Sequence, residues 1–225
     1  MRFFAATWLI LRKELSIEFR TRELLLSTAL FAVLVVVMAS ISFYVDVTAA
    51  EKLAPGVLWI AVTFAGVLAM GRSWNRERDQ EVIRGLLAAP IPRASIYLGK
   101  ATATFAVLSL VEVLLLPLVA LFFQLDLLAV GLSVFLMLQL GTLGFVAAGT
   151  LFSAMSLRTE ARDLMLSVVL FPLVSPSLIA GVVGTRAILS GAPFLEAFDY
   201  FEVLIAFFIV FLTLGLWLFE PLMRD

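Results

Sequence analysis

Apolar residues fill six long stretches of this chain, and in two other places they recur at helical spacing among charges. The six stretches are 24–45, 53–71, 101–123, 127–156, 164–185 and 200–219. The first and second contain no charged residue. A helix needs about 20 apolar residues to cross a hydrocarbon layer of about 30 Å, so each stretch predicts a transmembrane span. Helices are the expected form because a spanning backbone must satisfy its own hydrogen bonds, and no strand-like alternation competes.

The two amphipathic segments read differently. Between residues 2 and 22, Phe4, Trp8, Leu11, Leu15 and Phe19 follow one another at steps of three and four, with Lys13, Ser16 and Arg20 facing away. That pattern predicts an interfacial helix lying along a membrane, either as a working part or as a plain anchor. The segment "RERDQEVIRGLLAAPIPR", residues 76–93, sets Val82, Ile83, Leu86 and Leu87 at helical spacing among Arg76, Glu77, Arg78, Asp79, Glu81 and Arg84. A short helix over 77–87 fits, stopped by Pro90 and Pro92. Topology alone requires a few basic residues, not interleaved acids followed by a rigid stop. A docking element for a soluble partner accounts for more of the pattern than a topology signal does.

Composition agrees with the spans. The chain is 63% hydrophobic and 15% charged, where soluble domains run about a quarter charged. Its basic residues are unevenly placed. Arg2, Arg12, Lys13, Arg20, Arg22, Arg72, Arg76, Arg78, Arg84, Arg93, Lys100, Arg158, Arg162 and Arg224 fall on one side of a six-span arrangement; Lys52 and Arg186 fall on the other. The bias predicts that both termini and the charged loop 72–100 are cytoplasmic. Arg12, Lys13 and Glu14 follow the first apolar residues with no small-residue cleavage site, so the N-terminus is expected to be retained.

Several chemistries are excluded. The sequence has no cysteine and no histidine, hence no disulfide, no thiolate or imidazole metal ligand and no histidine acid–base catalysis. No phosphate-binding loop is present: Gly99-Lys100 is followed by Ala101, and Ala94 stands five residues before Gly99. If ATP drives this protein, another chain binds it.

Inside the membrane, Glu112 sits near the middle of the third span, with Pro117 beyond it. Charged groups at a helix centre cost about 2.5–3.5 kcal/mol on insertion scales. Glu112 reads equally as a pathway or gating residue and as polar glue between helices. In the fourth span, Gly144 and Ala148 have small-xxx-small spacing, which predicts close helix packing. Pro172 and Pro176 predict a kinked or split fifth span. Arg186, Pro193, Glu196, Asp199 and Glu202 mark the last outer connection as either a short re-entrant segment or an ordinary interfacial belt.

These features resemble those of the type 2 ABC exporter permeases and, more narrowly, the CcmB family. The resemblance spans nearly the whole chain. It rests on "LRKEL…EFRTRELL" at 11–25, "RERDQEVIRGLLAAPIPRASIYLGK" at 76–100, "VEVLLLP" at 111–117 and "LGTLGFVAAGTLFSAM" at 140–155. It implies an all-α polytopic membrane protein, ABC-2 permease-like, forming one transmembrane domain over 1–225. In that architecture 2–22 is the elbow helix, carrying Trp8, Leu11, Leu15 and Phe19, and Glu77 to Leu87 is a coupling helix seated on an ATPase. It further implies a bacterial inner-membrane complex for c-type cytochrome biogenesis. A second copy of the chain, two CcmA-like ATPase subunits and CcmC-, CcmD- and CcmE-like haem-handling proteins would be the partners. ATP use would drive either release of the haem-loaded chaperone or haem export. The chain itself would be non-catalytic, with ATP on the partner, haem involved only indirectly and no cofactor or metal bound directly. Two rival readings stand beside this one: a permease exporting a lipid, polysaccharide or drug, and an ATP-independent carrier or intramembrane enzyme using Glu112.

Overall fold

The computed structural model describes residues 3–42, 47–79, 85, 89–155, 162–192 and 194–223. Among them the chain is all helical: α1 (Phe3–Thr21), α2 (Glu23–Ser42), α3 (Val47–Asp79), α4 (Arg93–Phe123), α5 (Leu127–Met155), α6 (Arg162–Leu189) and α7 (Phe194–Leu222). The six helices α2–α7 are long and apolar enough to cross a membrane. They alternate in direction. Trp74, near the end of α3, shares one apolar cluster with Ile96 and Tyr97 at the start of α4, Leu151 and Ala154 at the end of α5, Phe219 and Met223 at the end of α7, and Ile10 of α1. The opposite ends of α3 and α6 meet the α4–α5 turn around a cavity.

Several helices run past their apolar cores. α3 continues to Asp79, so the charges from Arg72 onward ride on the same rod as the second span. α4 begins at Arg93, directly after Pro92. α7 begins at Phe194, and Glu196, Asp199 and Glu202 therefore lie in its first turns and form no re-entrant segment. Of the kinked or split fifth span that was expected, the split is absent: α6 is continuous through Pro172 and Pro176. Pro176 has no N–H to donate to the carbonyl four residues back, and that carbonyl belongs to Pro172. The Ser175 hydroxyl donates to Pro172 O instead, at 2.8 Å, which is how a spanning helix tolerates proline.

Small residues let the bundle close. A Cβ on Gly141 or Gly181 would run into the Trp59 ring, which is thereby sandwiched between α5 and α6. The Trp59 indole N–H donates to Thr185 Oγ1 at 2.9 Å, removing the one polar liability of this buried ring. One turn on along α5, a Cβ on Gly144 would come within 2.7 Å of the Phe207 ring. The close approach expected at Gly144 is thus made against α7. Tyr97 fills the space left by Gly215, and its hydroxyl reaches the carbonyls of Ala147 at 3.0 Å and Phe211 at 3.3 Å.

Candidate functional site

The apolar bundle holds two polar clusters. The first joins α4 to α5. Glu112 is fully buried. Its Oε2 accepts from Gln139 Nε2 at 2.6 Å, its Oε1 accepts from the Thr142 hydroxyl, and Ser109 Oγ donates to Gln139 Oε1 at 2.8 Å. Ser109 and Glu112 are three residues apart on one helix, as Gln139 and Thr142 are on the other. Each pair shares a face, and the two faces meet. Both carboxyl oxygens face neutral donors, and among the described residues no second ionisable group joins the network. Pro117 is not part of it and lies exposed on the outside of α4. The matched spacing of the two polar pairs in neighbouring spans was the signal that could have revealed Gln139 and Thr142.

The second cluster lies under α1 and was not visible as a site in the sequence. The face of α1 turned to the bundle is Ala6, Ile10, Glu14 and Glu18, not the apolar stripe. Gly99 of α4 admits Ile10, since a Cβ there would stand 2.7 Å from the isoleucine. One turn on, Glu14 Oε1 faces Lys100 Nζ at 3.4 Å and Lys13 Nζ at 2.9 Å. Lys100, counted from the sequence as a loop charge, is inside the second turn of α4 with its side chain 0% exposed. Its ammonium also stands 4.7 Å from the centre of the Trp74 ring, within cation–π range. Glu18 Oε1 accepts from the backbone N–H of Leu25 at 2.8 Å. It thus caps the first turn of α2, where helix N–H groups lack intrahelical partners. Arg22, with φ 54°, is the single residue between α1 and α2. The angle between these helices is therefore set by a left-handed residue and a side-chain cap.

The apolar stripe of α1 points away from the bundle. Trp8 and Phe19 are exposed, Leu11 and Leu15 half-buried, and with Arg12 and Ser16 they line an open groove of about 370 Å³. In the charged loop, Arg76, Glu77, Arg78 and Asp79 belong to the last turns of α3. Glu81, Val82, Ile83, Arg84, Leu86 and Leu87 lie outside the described residues; of the helix expected over 77–87, residues 77–79 are the end of α3, Gly85 is described, and the rest lies outside the described residues. No group of three or more His, Cys, Asp or Glu suited to a metal ion occurs among the described residues.

A bundle of six spanning helices with an amphipathic helix docked at one end defines a polytopic helical membrane protein. Its family is narrower than that. The chain belongs to the CcmB family, whose model, described as CcmB protein, matches residues 5–221. It is similar to "Heme exporter protein B" of Bradyrhizobium diazoefficiens, 26% identical over 206 residues covering 92% of this chain and 91% of that protein. The protein of the same name from Pseudomonas aeruginosa is 26% identical over 82% of each chain. That of Escherichia coli K12 is 26% identical over 46% of this chain and 47% of its own length.

Proposed function

We propose that this chain is the non-catalytic membrane subunit of an ABC-type complex in c-type cytochrome biogenesis, coupling ATP hydrolysis on a separate subunit to haem delivery or to release of a haem-loaded chaperone. The observation that carries this reading is the family match across nearly the whole chain, together with relatives bearing the name heme exporter protein B. Six spanning helices and an elbow-like α1 suit a permease. The end that carries α1, Trp74 and Met223 is read as cytoplasmic, because the basic residues concentrate there. The charged extension of α3 then projects toward the cytoplasm as the start of an ATPase-docking element. Two copies of the chain would receive two ATPase subunits.

Affinity capture of the full-length chain from its native membrane, followed by subunit identification, tests this. An ABC ATPase and haem-handling membrane proteins are expected to co-purify. An ATPase without haem-handling proteins would favour export of another cargo, and capture of neither would sink the proposal.

Within this reading Glu112 is a clasp between α4 and α5. Glu112→Leu removes the acceptor for Thr142 and Gln139 and leaves their donors facing hydrocarbon, at about 1–3 kcal/mol for each buried group left unsatisfied. Glu112→Gln keeps one acceptor oxygen, and the Gln139 amide and the Thr142 hydroxyl can each reorient to accept from the new amide. Thermal unfolding in detergent is expected to fall clearly for Leu and little for Gln, with cytochrome c maturation following the same order. Equal, wild-type behaviour of the Leu variant would reduce Glu112 to a tolerated polar residue. Loss of maturation with undiminished stability would favour a pathway role.

A further inference from the structure

The chain has 16 lysines and arginines, and among those in the described residues only Lys52 and Arg186 belong to the end opposite α1. They come from different helices, the start of α3 and the end of α6, 134 positions apart in the sequence. Both line one cavity of about 430 Å³, with Pro55, Leu125 and Leu189 among its walls. Gln124 and Ser190 add neutral hydrogen-bonding groups to the lining, and Asp126 is its carboxylate. Asp126 has a partner of its own, and among the described residues neither Lys52 nor Arg186 forms an ion pair. The cavity is thus a local positive site in an end of the molecule otherwise marked by acids such as Glu196, Asp199 and Glu202 at the start of α7.

Its shape suits a small ligand: binding pockets run about 300–1,000 Å³ and combine apolar walls with a few placed polar groups. The helix ends that form it place it at the edge of the hydrocarbon layer, where a ligand can keep its apolar body in lipid and its head in water. The turn that builds one wall is fixed by Gln124, whose left-handed φ of 55° closes α4 and sets Leu125 and Asp126 beside the two cations. We infer that this cavity binds an anionic amphiphile, a carboxylate or phosphate head on an apolar body. Lys52 and Arg186 would hold the head, and Pro55, Leu125 and Leu189 would contact the body. An anionic phospholipid and a dicarboxylate porphyrin both present this chemistry. The porphyrin source rests on the proposed function; the lipid source does not.

The test uses the full-length protein in nanodiscs of zwitterionic lipid, with two probes: protoporphyrin IX against its uncharged dimethyl ester, and phosphatidylglycerol against phosphatidylcholine. Wild-type protein is expected to prefer one or both acids over their neutral counterparts. The double variant Lys52→Ala/Arg186→Ala is expected to lose that preference by about ten-fold or more in Kd, each lost charge-assisted contact being of at least that order. Lys52→Arg should retain it, and thermal unfolding of the double variant should be unchanged because both side chains are exposed. Phosphatidylglycerol preference alone sustains the inference and identifies the ligand as lipid. Porphyrin preference alone sustains it and links the cavity to haem cargo. If the wild type prefers neither acid, or the double variant keeps the full preference, the inference is wrong. Capture of the native complex reports on the proposed function independently of either result.

Discussion

Glu14→Leu is expected to lower the stability of the protein by about 3–5 kcal/mol, the usual result of removing one partner from a buried ion pair. Lys100 has no exposed side-chain surface, and Glu14 is the carboxylate facing it across the α1–α4 contact. Without that carboxylate the ammonium stays deep in the bundle, since it sits beside α1 and against the Trp74 ring. Lys13 behaves differently: its side chain is 33% exposed, and it can turn to water. The opposite substitution, Lys100→Leu, is expected to be milder. It removes the buried cation, and Glu14 keeps Lys13 at 2.9 Å. Its cost includes the ring contact, about 0.5–2 kcal/mol. The double variant Glu14→Leu/Lys100→Leu replaces both charges with apolar groups and should recover much of the single Glu14 loss, because the desolvation of the pair disappears with it. Thermal unfolding of the four proteins in one detergent measures the cycle. Strict additivity, with the double variant as unstable as the sum of its parents, would show that Glu14 and Lys100 do not depend on each other. The expected structural consequence of breaking the pair is loosening of α1 from the start of α4, the helix that follows the charged loop directly.

If the chain docks an ATPase as proposed, Ile83→Asp and Leu87→Asp are each expected to abolish capture of that ATPase while leaving the six-helix bundle intact. The apolar residues Val82, Ile83, Leu86 and Leu87 need a surface to cover them if the segment is helical, and a groove with a charged rim on a soluble partner supplies one. An aspartate at the centre of such a contact costs about 2 kcal/mol or more, the range in which a few buried residues dominate an interface. The variants should insert normally and unfold at the wild-type temperature, because the substituted residues lie between α3 and α4 in the sequence, outside the six spanning helices. Partner capture and cytochrome c maturation should fall together. Wild-type capture by both variants would leave the loop as a topology signal.

The number and type of the spans were legible in the sequence because a lipid-embedded helix must be apolar along its whole length, whatever it packs against. The uneven distribution of basic residues was legible for a related reason: charges generally stay near water wherever the neighbouring helices lie, Lys100 being an exception. Helix ends were less legible. Nothing in the composition of 72–79 or 93–100 separates a polar loop from a helix that simply continues past its most apolar stretch, as α3 and α4 do. The continuity of α6 through two prolines was decided in the folded helix, where the Ser175 hydroxyl meets the carbonyl left by Pro176. The face that α1 turns to the bundle was not legible for a further reason. In water the apolar stripe of an amphipathic helix turns inward, whereas beside a membrane it can turn to lipid and leave the polar side to the protein. Glu14 and Glu18 on that side gain meaning only from Lys100 and the start of α2. Glu112 stood out in the sequence as a lone acid; its acceptance of bonds from Gln139 and Thr142 was decided when α5 came to lie against α4. The same holds for Lys52 and Arg186. Their rarity on one side could be counted along the chain, but their meeting at one cavity was decided by the tertiary structure, which brought together the start of one helix and the end of another.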